Sequence, residues 1–286
     1  RKMRTKRTLQ ELTIKDSFMF AAVMQEEENC RRLLELVLRI KIARVEVSLE
    51  KSMMYNPEYH GVRLDVFAKD EEKSHFNVEM QVRKKSVERR SRYYHSQMDM
   101  EYLQSGKDYK ELPNSFVIFI CDYDPFGKKK YQYTVRKYFQ EIPDLTYQDG
   151  IHSIFLSTMG NNEDEVPGEL VKFLRYVHSD LSESTQDFED DFVKRLQETV
   201  ARVKKSREVG ARYMLFEEMM REEKLEGIKQ GKVESIMLLL SSRFSVAAGL
   251  QEKLSEINSN EKLEELFVAA LHAESLQDFE NHLIEK

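Results

Sequence analysis

The segment Phe116-Val117-Ile118-Phe119-Ile120-Cys121 constrains the fold more than any other stretch. Six consecutive apolar residues without alternation require cover on both faces, which is the mark of a central buried strand. No apolar run reaches the roughly 20 residues of a membrane span, so no membrane partner is expected and the cover must come from the chain itself.

The flanking patterns supply that cover. Residues 17–40, opening on Asp16 or Ser17 as helix N-cap, carry apolar side chains at spacings of three and four and predict one or two amphipathic helices. Val45–Leu49 alternates with period two, as a strand does. Asn56-Pro57 and His60-Gly61 are turn signals. Val62–Lys69 and His75–Arg83 alternate on either side of the polar loop 70–74 and predict a β-hairpin. Residues 86–105 read as a helix stopped by Gly106. A strand, a helix and then the buried strand imply a right-handed crossover with parallel pairing. Tyr131–Tyr138 and Ile151–Leu156 are expected to add strands.

Beyond this region the sequence changes character. All five prolines lie in the first 167 residues, and the remaining 119 have none. Leu170, Phe173, Leu174 and Val177 form one helical stripe, and Phe188, Phe192, Leu196, Val200 and Val203 a second. Six carboxylates between Asp180 and Asp191 suggest a boundary, giving an α/β domain over 1–179 and a helical region over 180–286. The second stripe, with Tyr213, Phe216 and Met220, either covers the α/β core or forms a self-association surface that would make a homodimer.

Charge first argues against a nucleic-acid partner, because the net value is −6. Its distribution removes the objection. Residues 1–178 carry 30 Lys/Arg against 28 Asp/Glu, whereas residues 179–286 carry 15 against 23. Two cysteines, Cys30 and Cys121, cannot build a disulfide framework and suit a reducing, cytoplasmic setting. The basic N-terminus lacks the apolar stretch of a secretory signal. Seven histidines show no zinc spacing and no glycine-rich phosphate loop occurs. Cys121, inside the apolar strand, reads as core rather than nucleophile.

The hairpin contains the chemistry. With its loop centred on Glu72, partners have numbers summing to 144, so Asp65 faces Glu79 and Gln81 shares their face. Leu64, Val66, Phe76, Val78, Met80 and Val82 then form the core side. Opposed carboxylates repel unless a cation joins them, and hard oxygen ligands suit Mg²⁺. On spacing alone, the same residues also suit the wet face of an amphipathic hairpin. Arg83, Lys84, Lys85, Arg89, Arg90 and Arg92 follow within ten positions, with Tyr93 and Tyr94, and fit a phosphate-bearing substrate or an ordinary solvated helix face.

The order helix–strand–strand–strand–helix–strand, with Asp65 on the second strand and Glu79-Met80-Gln81 on the third, resembles the PD-(D/E)XK restriction-endonuclease-like superfamily. More closely it resembles the Rpn-like recombination-promoting nucleases, the PD-(D/E)XK nuclease family transposases. Lys15-Asp16-Ser17-Phe18, Arg63-Leu64-Asp65-Val66, Arg90-Ser91-Arg92-Tyr93-Tyr94 and Ser105-Gly106-Lys107-Asp108-Tyr109 carry the resemblance. It spans residues 11–160, with the tail matching loosely. Gln81 stands where the superfamily name implies Lys, and Leu64 where Pro is implied; Met19-Phe20-Ala21 lacks a Lys common in similar proteins. The resemblance implies an α/β restriction-endonuclease-like fold and a Mg²⁺-dependent DNA endonuclease, with Mn²⁺ as substitute metal. Asp65, Glu79 and the Met80 carbonyl would hold the metal, and Gln81 would orient the attacking water. Asp16 would join the site or serve only as helix N-cap. Arg83, Lys84, Lys85, Arg90 and Tyr94 would contact DNA phosphates. The competing reading is a DNA-binding or assembly protein that keeps the fold without cleaving.

Overall fold

The computed structural model describes residues 7–49, 52–53, 62–63, 66–103, 108–246 and 249–284. Helices α1 (Ser17–Met24) and α2 (Glu27–Leu38) come first. They are followed by β1 (Val45–Leu49), the short pair β2 (Ser52–Met53) and β3 (Val62–Arg63), and the hairpin β4 (Val66–Asp70) and β5 (His75–Gln81). Helix α3 (Glu88–Tyr102) connects β5 to β6 (Ser115–Cys121). Then come β7 (Gln132–Thr134), a separate exposed hairpin of β8 (Tyr138–Phe139) and β9 (Ile142–Thr146), and β10 (Ile151–Ser157).

One mixed sheet runs in the order β1-β4-β5-β6-β10-β7. The apolar strand β6 lies inside it, parallel to β5 on one side and to β10 on the other. The parallel pairing predicted across the α3 crossover is therefore present. In the hairpin, Val66 pairs with Val78, Phe67 with Asn77, Ala68 with Phe76 and Lys69 with His75, the register in which numbers sum to 144. Leu64 and Asp65, the next positions, lie outside the described residues, as do the turns at 56–57 and 60–61 and the terminator Gly106.

The predicted wet face of the hairpin is not wet. Every residue of β5 is buried. The odd-numbered sheet residues Phe67, Val117, Phe119, Cys121 and Phe155 pack with Val87, Tyr94 and Met98 at and along α3. On the other face, Val66, Phe76, Val78, Ile118, Ile120 and Leu156 are equally buried, with α1 packed on β5 and β1 and α2 on β1. Burying each such Val, Ile or Phe contributes roughly 1.5–3 kcal/mol, so both layers are needed. Val82, expected on the core side, falls beyond the end of β5 and is 46% exposed.

Helices α4 (Gly168–His178) and α5 (Asp191–Lys205) complete this unit. The Asp190 carboxylate caps α5 by accepting from Val193 N at 2.9 Å. The α5 stripe Phe192, Val193, Leu196 and Val203 is buried, and α5 packs on α1, α2 and α4. The second predicted stripe thus covers the α/β core. The chain divides into compact units at Gly210/Ala211, so the boundary expected at 179/180 falls within the first unit, because α4 and α5 are bound to its core.

The second unit contains most of α6 (Arg207–Arg243), then α7 (Leu250–Ser255), α8 (Asn260–His272) and α9 (Leu276–Ile284). Its own core gathers Val233, Ile236, Leu240, Leu254, Leu263, Leu266 and Phe279. Residues 211–286 carry nine Lys/Arg against fifteen Asp/Glu, a net −6 equal to that of the whole chain, which leaves residues 1–210 neutral. Among the described residues no helix is long and apolar enough to cross a membrane.

Candidate active site

Strands β5, β6 and β10 run parallel, and ligands of open α/β sheets bind outside the carboxyl ends of such strands. Gln81 and Cys121 are register partners at that end. Asp122 N donates to the Gln81 carbonyl at 3.0 Å, and Thr158 N to the Cys121 carbonyl at 3.0 Å. Three strand ends are thereby tied side by side.

Glu79 lies two residues inside this end, with only 4% of its side chain exposed. A carboxylate so placed must be matched by cations and donors. Arg90, in the first turn of α3, supplies them. Its Nη2 lies 3.2 Å from Glu79 Oε2 and donates to the Tyr94 hydroxyl at 2.6 Å, while its Nη1 donates to Gln81 Oε1. The Tyr94 hydroxyl donates to Glu79 Oε2 at 3.4 Å, and Gln81 Nε2 donates to the Arg83 carbonyl at 2.9 Å. The Arg90 guanidinium carbon also stands 5.3 Å from the ring centres of both Tyr94 and Phe119. Positions 90 and 94 share a helix face, so a single face of α3 addresses both polar side chains at the end of β5.

The other basic residues behave differently. Arg83, Lys84, Lys85, Arg89 and Arg92 are exposed, whereas Arg90 is only partly so. Asp16 occupies the N-cap position of α1 but its carboxylate does not cap the helix. It accepts from Thr13 N at 2.8 Å and pairs with Arg7 at 2.5 Å. Asp65 lies outside the described residues.

Sequence reasoning missed Asp122. Its carboxylate, 10% exposed, accepts from Thr158 Oγ1 at 3.1 Å, meets His178 Nδ1 at 2.7 Å and pairs with Lys15 at 3.3 Å. The Lys15 ammonium also donates to the His178 carbonyl at 2.9 Å. This cluster fastens the entry to α1 and the end of α4 to the carboxyl end of β6. An acid immediately after a fully apolar parallel strand was the available signal.

At the amino-terminal ends of β6 and β10 the same helix makes a neutral contact. His95, 3% exposed, places Nδ1 at 2.8 Å from Ser115 Oγ and Nε2 at 3.1 Å from Ser153 Oγ, and Ser91 Oγ lies 2.8 Å from Ser153 Oγ. Burial, then the positive charges of Lys137 and His152, hold the imidazole down at about 4 against a partial opposing pull from Asp149. Asn77, fully buried on the Glu79 face, finds no hydrogen-bond partner for either amide atom among the described residues. Burial pushes the Cys30 and Cys121 thiols up to about 12, which removes both as nucleophiles.

No group of three or more His, Cys, Asp or Glu is placed to hold a metal among the described residues. The donor chemistry at Glu79 and Gln81 nevertheless fits a hard divalent cation: a carboxylate and an amide oxygen, two residues apart on one face, already answered by a positive group.

A six-strand mixed sheet flanked by helices, followed by a helical region, with Glu-x-Gln closing a parallel strand, is consistent with the restriction-endonuclease-like fold. The family model described as PD-(D/E)XK nuclease family transposase matches residues 15–226, and the chain belongs to that family. No curated protein and no solved structure matches it.

Proposed function

We propose that the protein is a metal-dependent endonuclease that hydrolyses phosphodiester bonds of DNA. The observation that carries this reading is the buried Glu79 carboxylate with Gln81 beside it, at the carboxyl end of a parallel strand and next to an exposed basic run. Glu79, with Asp65 and the Met80 carbonyl, would hold the cation, Mg²⁺ or its substitute Mn²⁺. That cation supplies polarisation of the scissile phosphate and a lowered pKa for bound water. Gln81 has an amide that accepts and donates, so it orients a water without serving as a base. Arg83, Lys84 and Lys85 position the DNA backbone, and Arg90 and Tyr94 reach the phosphate nearest the carboxylate. Asp16 enters as a further acid from the start of α1. Its neighbour Lys15 is bound at the end of β6.

The test is nicking of supercoiled plasmid with Mg²⁺, Mn²⁺ or EDTA. Cleavage is expected with either metal and none with the chelator, and Asp65→Asn and Glu79→Gln each abolish it. Full activity in either variant, with contaminating nuclease excluded, sinks the proposal. Gln81 in place of a lysine favours a second reading, a DNA-binding or assembly protein without catalysis, which predicts duplex binding with no cleavage under any divalent ion. Recombination, mobile-element movement and defence against foreign DNA all suit the first reading. The homodimer belongs to the proposal through the helical region, where α6 leaves Met214 and Leu215 58% and 69% exposed. Light scattering of the full chain reads the oligomeric state.

A further inference from the structure

Arg90 sits where two demands conflict. Its guanidinium is the charge partner of a buried carboxylate, and it is also the cation of the basic run that reaches the carboxyl end of β5, where the proposed function brings a phosphate. The side chain is 32% exposed against 4% for Glu79, so the two ends of the pair are unequally held. Glu79 is confined on a central strand, whereas the arginine has a flexible stem and an open side. A divalent cation bound at the Glu79 carboxylate would stand beside the guanidinium, and like charges at that separation in a partly buried site repel strongly. A metal therefore competes with Arg90 for Glu79.

We infer that Arg90 is an internal counter-ion and a gate. Without substrate it occupies the Glu79–Gln81 oxygens and weakens metal binding. A DNA phosphate offers the guanidinium a bidentate partner and draws it off Glu79, so that metal and DNA bind cooperatively. The inference rests on the metal-dependent reading above. It adds a linkage between two ligands, and linkage is reciprocal: the factor by which duplex tightens metal binding equals the factor by which metal tightens duplex binding.

Mn²⁺ binding to the full chain, read by electron paramagnetic resonance of the free ion, tests this. A short duplex with cleavage-resistant phosphorothioate linkages is absent or saturating. In the wild type the duplex is expected to tighten Mn²⁺ about tenfold, within the usual range of such couplings. Arg90→Gln should tighten Mn²⁺ several-fold without duplex and shrink the duplex effect to about twofold or less. Arg90→Lys keeps the charge but cannot span Glu79, Gln81 and Tyr94 together; it should fall between the two and serves if the glutamine variant does not fold. Glu79-dependent Mn²⁺ binding that is unchanged or weakened by Arg90→Gln and Arg90→Lys overturns the gate while leaving the metal site intact. Mn²⁺ binding that survives Glu79→Gln, or no binding at all, overturns the metal-site reading and the gate with it.

Discussion

At Arg90 and Tyr94, helix α3 meets the sheet with a charge; at Ser91 and His95, on the same helix, it meets the sheet with none. The first contact joins a partly exposed guanidinium to a buried carboxylate, an amide and a phenol. The second joins a sealed, neutral imidazole to two serine hydroxyls, one of which also meets Ser91. Satisfied neutral networks fix packing and have little reason to exchange partners. A buried ion pair is held against a large desolvation cost, so a partner is given up only to an ion or ligand that compensates the charge left behind. The helix is thus pinned near the amino ends of β6 and β10 and adjustable near their carboxyl ends. The charged contact should govern activity and the neutral one stability.

The largest effect expected is at Glu79. Glu79→Gln removes several kcal/mol of transition-state stabilisation, so plasmid cleavage should drop by roughly 10³-fold or more while the denaturation midpoint moves little. A folding defect as large as the activity loss would erase the distinction between the two contacts. Next comes the acid response at His95. Its folded pKa of about 4 lies below the ordinary 6.5, so the unfolded chain takes up the proton first as pH falls. Its share of stability is complete above pH 6.5 and is lost between 6.5 and about 4. The loss amounts to roughly 3 kcal/mol. Urea denaturation across that window should show the slope in the wild type and lose much of it in His95→Gln. Plasmid cleavage by that variant at pH 7.5 should stay within about threefold of the wild type, a difference worth under ~1 kcal/mol.

Tyr94→Phe separates the contacts more finely. It deletes one hydroxyl shared by Arg90 and Glu79, worth about 1–1.5 kcal/mol, so cleavage should fall roughly tenfold with the fold intact. An unaffected rate would make Tyr94 a packing residue only. The smallest effect is at Asn77, whose buried amide has both atoms unpartnered among the described residues. Asn77→Leu should raise stability by about 1 kcal/mol, seen as a shifted urea midpoint; a clear drop would show that the amide is satisfied in solution.

Much of this architecture was readable from residues alone. The loop centred on Glu72 sets the hairpin register, and the uninterrupted apolar run of β6 demands cover on both faces. Burial of His75, Asn77, Glu79 and Gln81 was not readable. Polar residues alternating with apolar ones look like a solvated edge, and what answers Glu79 and Gln81 comes from Arg90 and Tyr94 on a helix reached after a turn of the chain. The run at 83–92 signals charge without telling which member turns inward; only Arg90 does so far enough to reach the end of β5. Asp16 illustrates the same limit, since its capping role is pre-empted by Arg7 nine residues earlier.

The unequal exposure of the Glu79–Arg90 pair sets the order in which a duplicated copy of this gene can decay. Loss of Arg90 first takes the guanidinium from a carboxylate buried beneath α3, and breaking a buried pair in that way costs about 3–5 kcal/mol, a large part of the stability of an ordinary domain. Loss of Glu79 first leaves an arginine that is already 32% exposed and can turn to water. Descendants that have given up cleavage should therefore keep Arg90 after Glu79 has gone, and a lineage bearing Glu79 without a cation at position 90 should be rare.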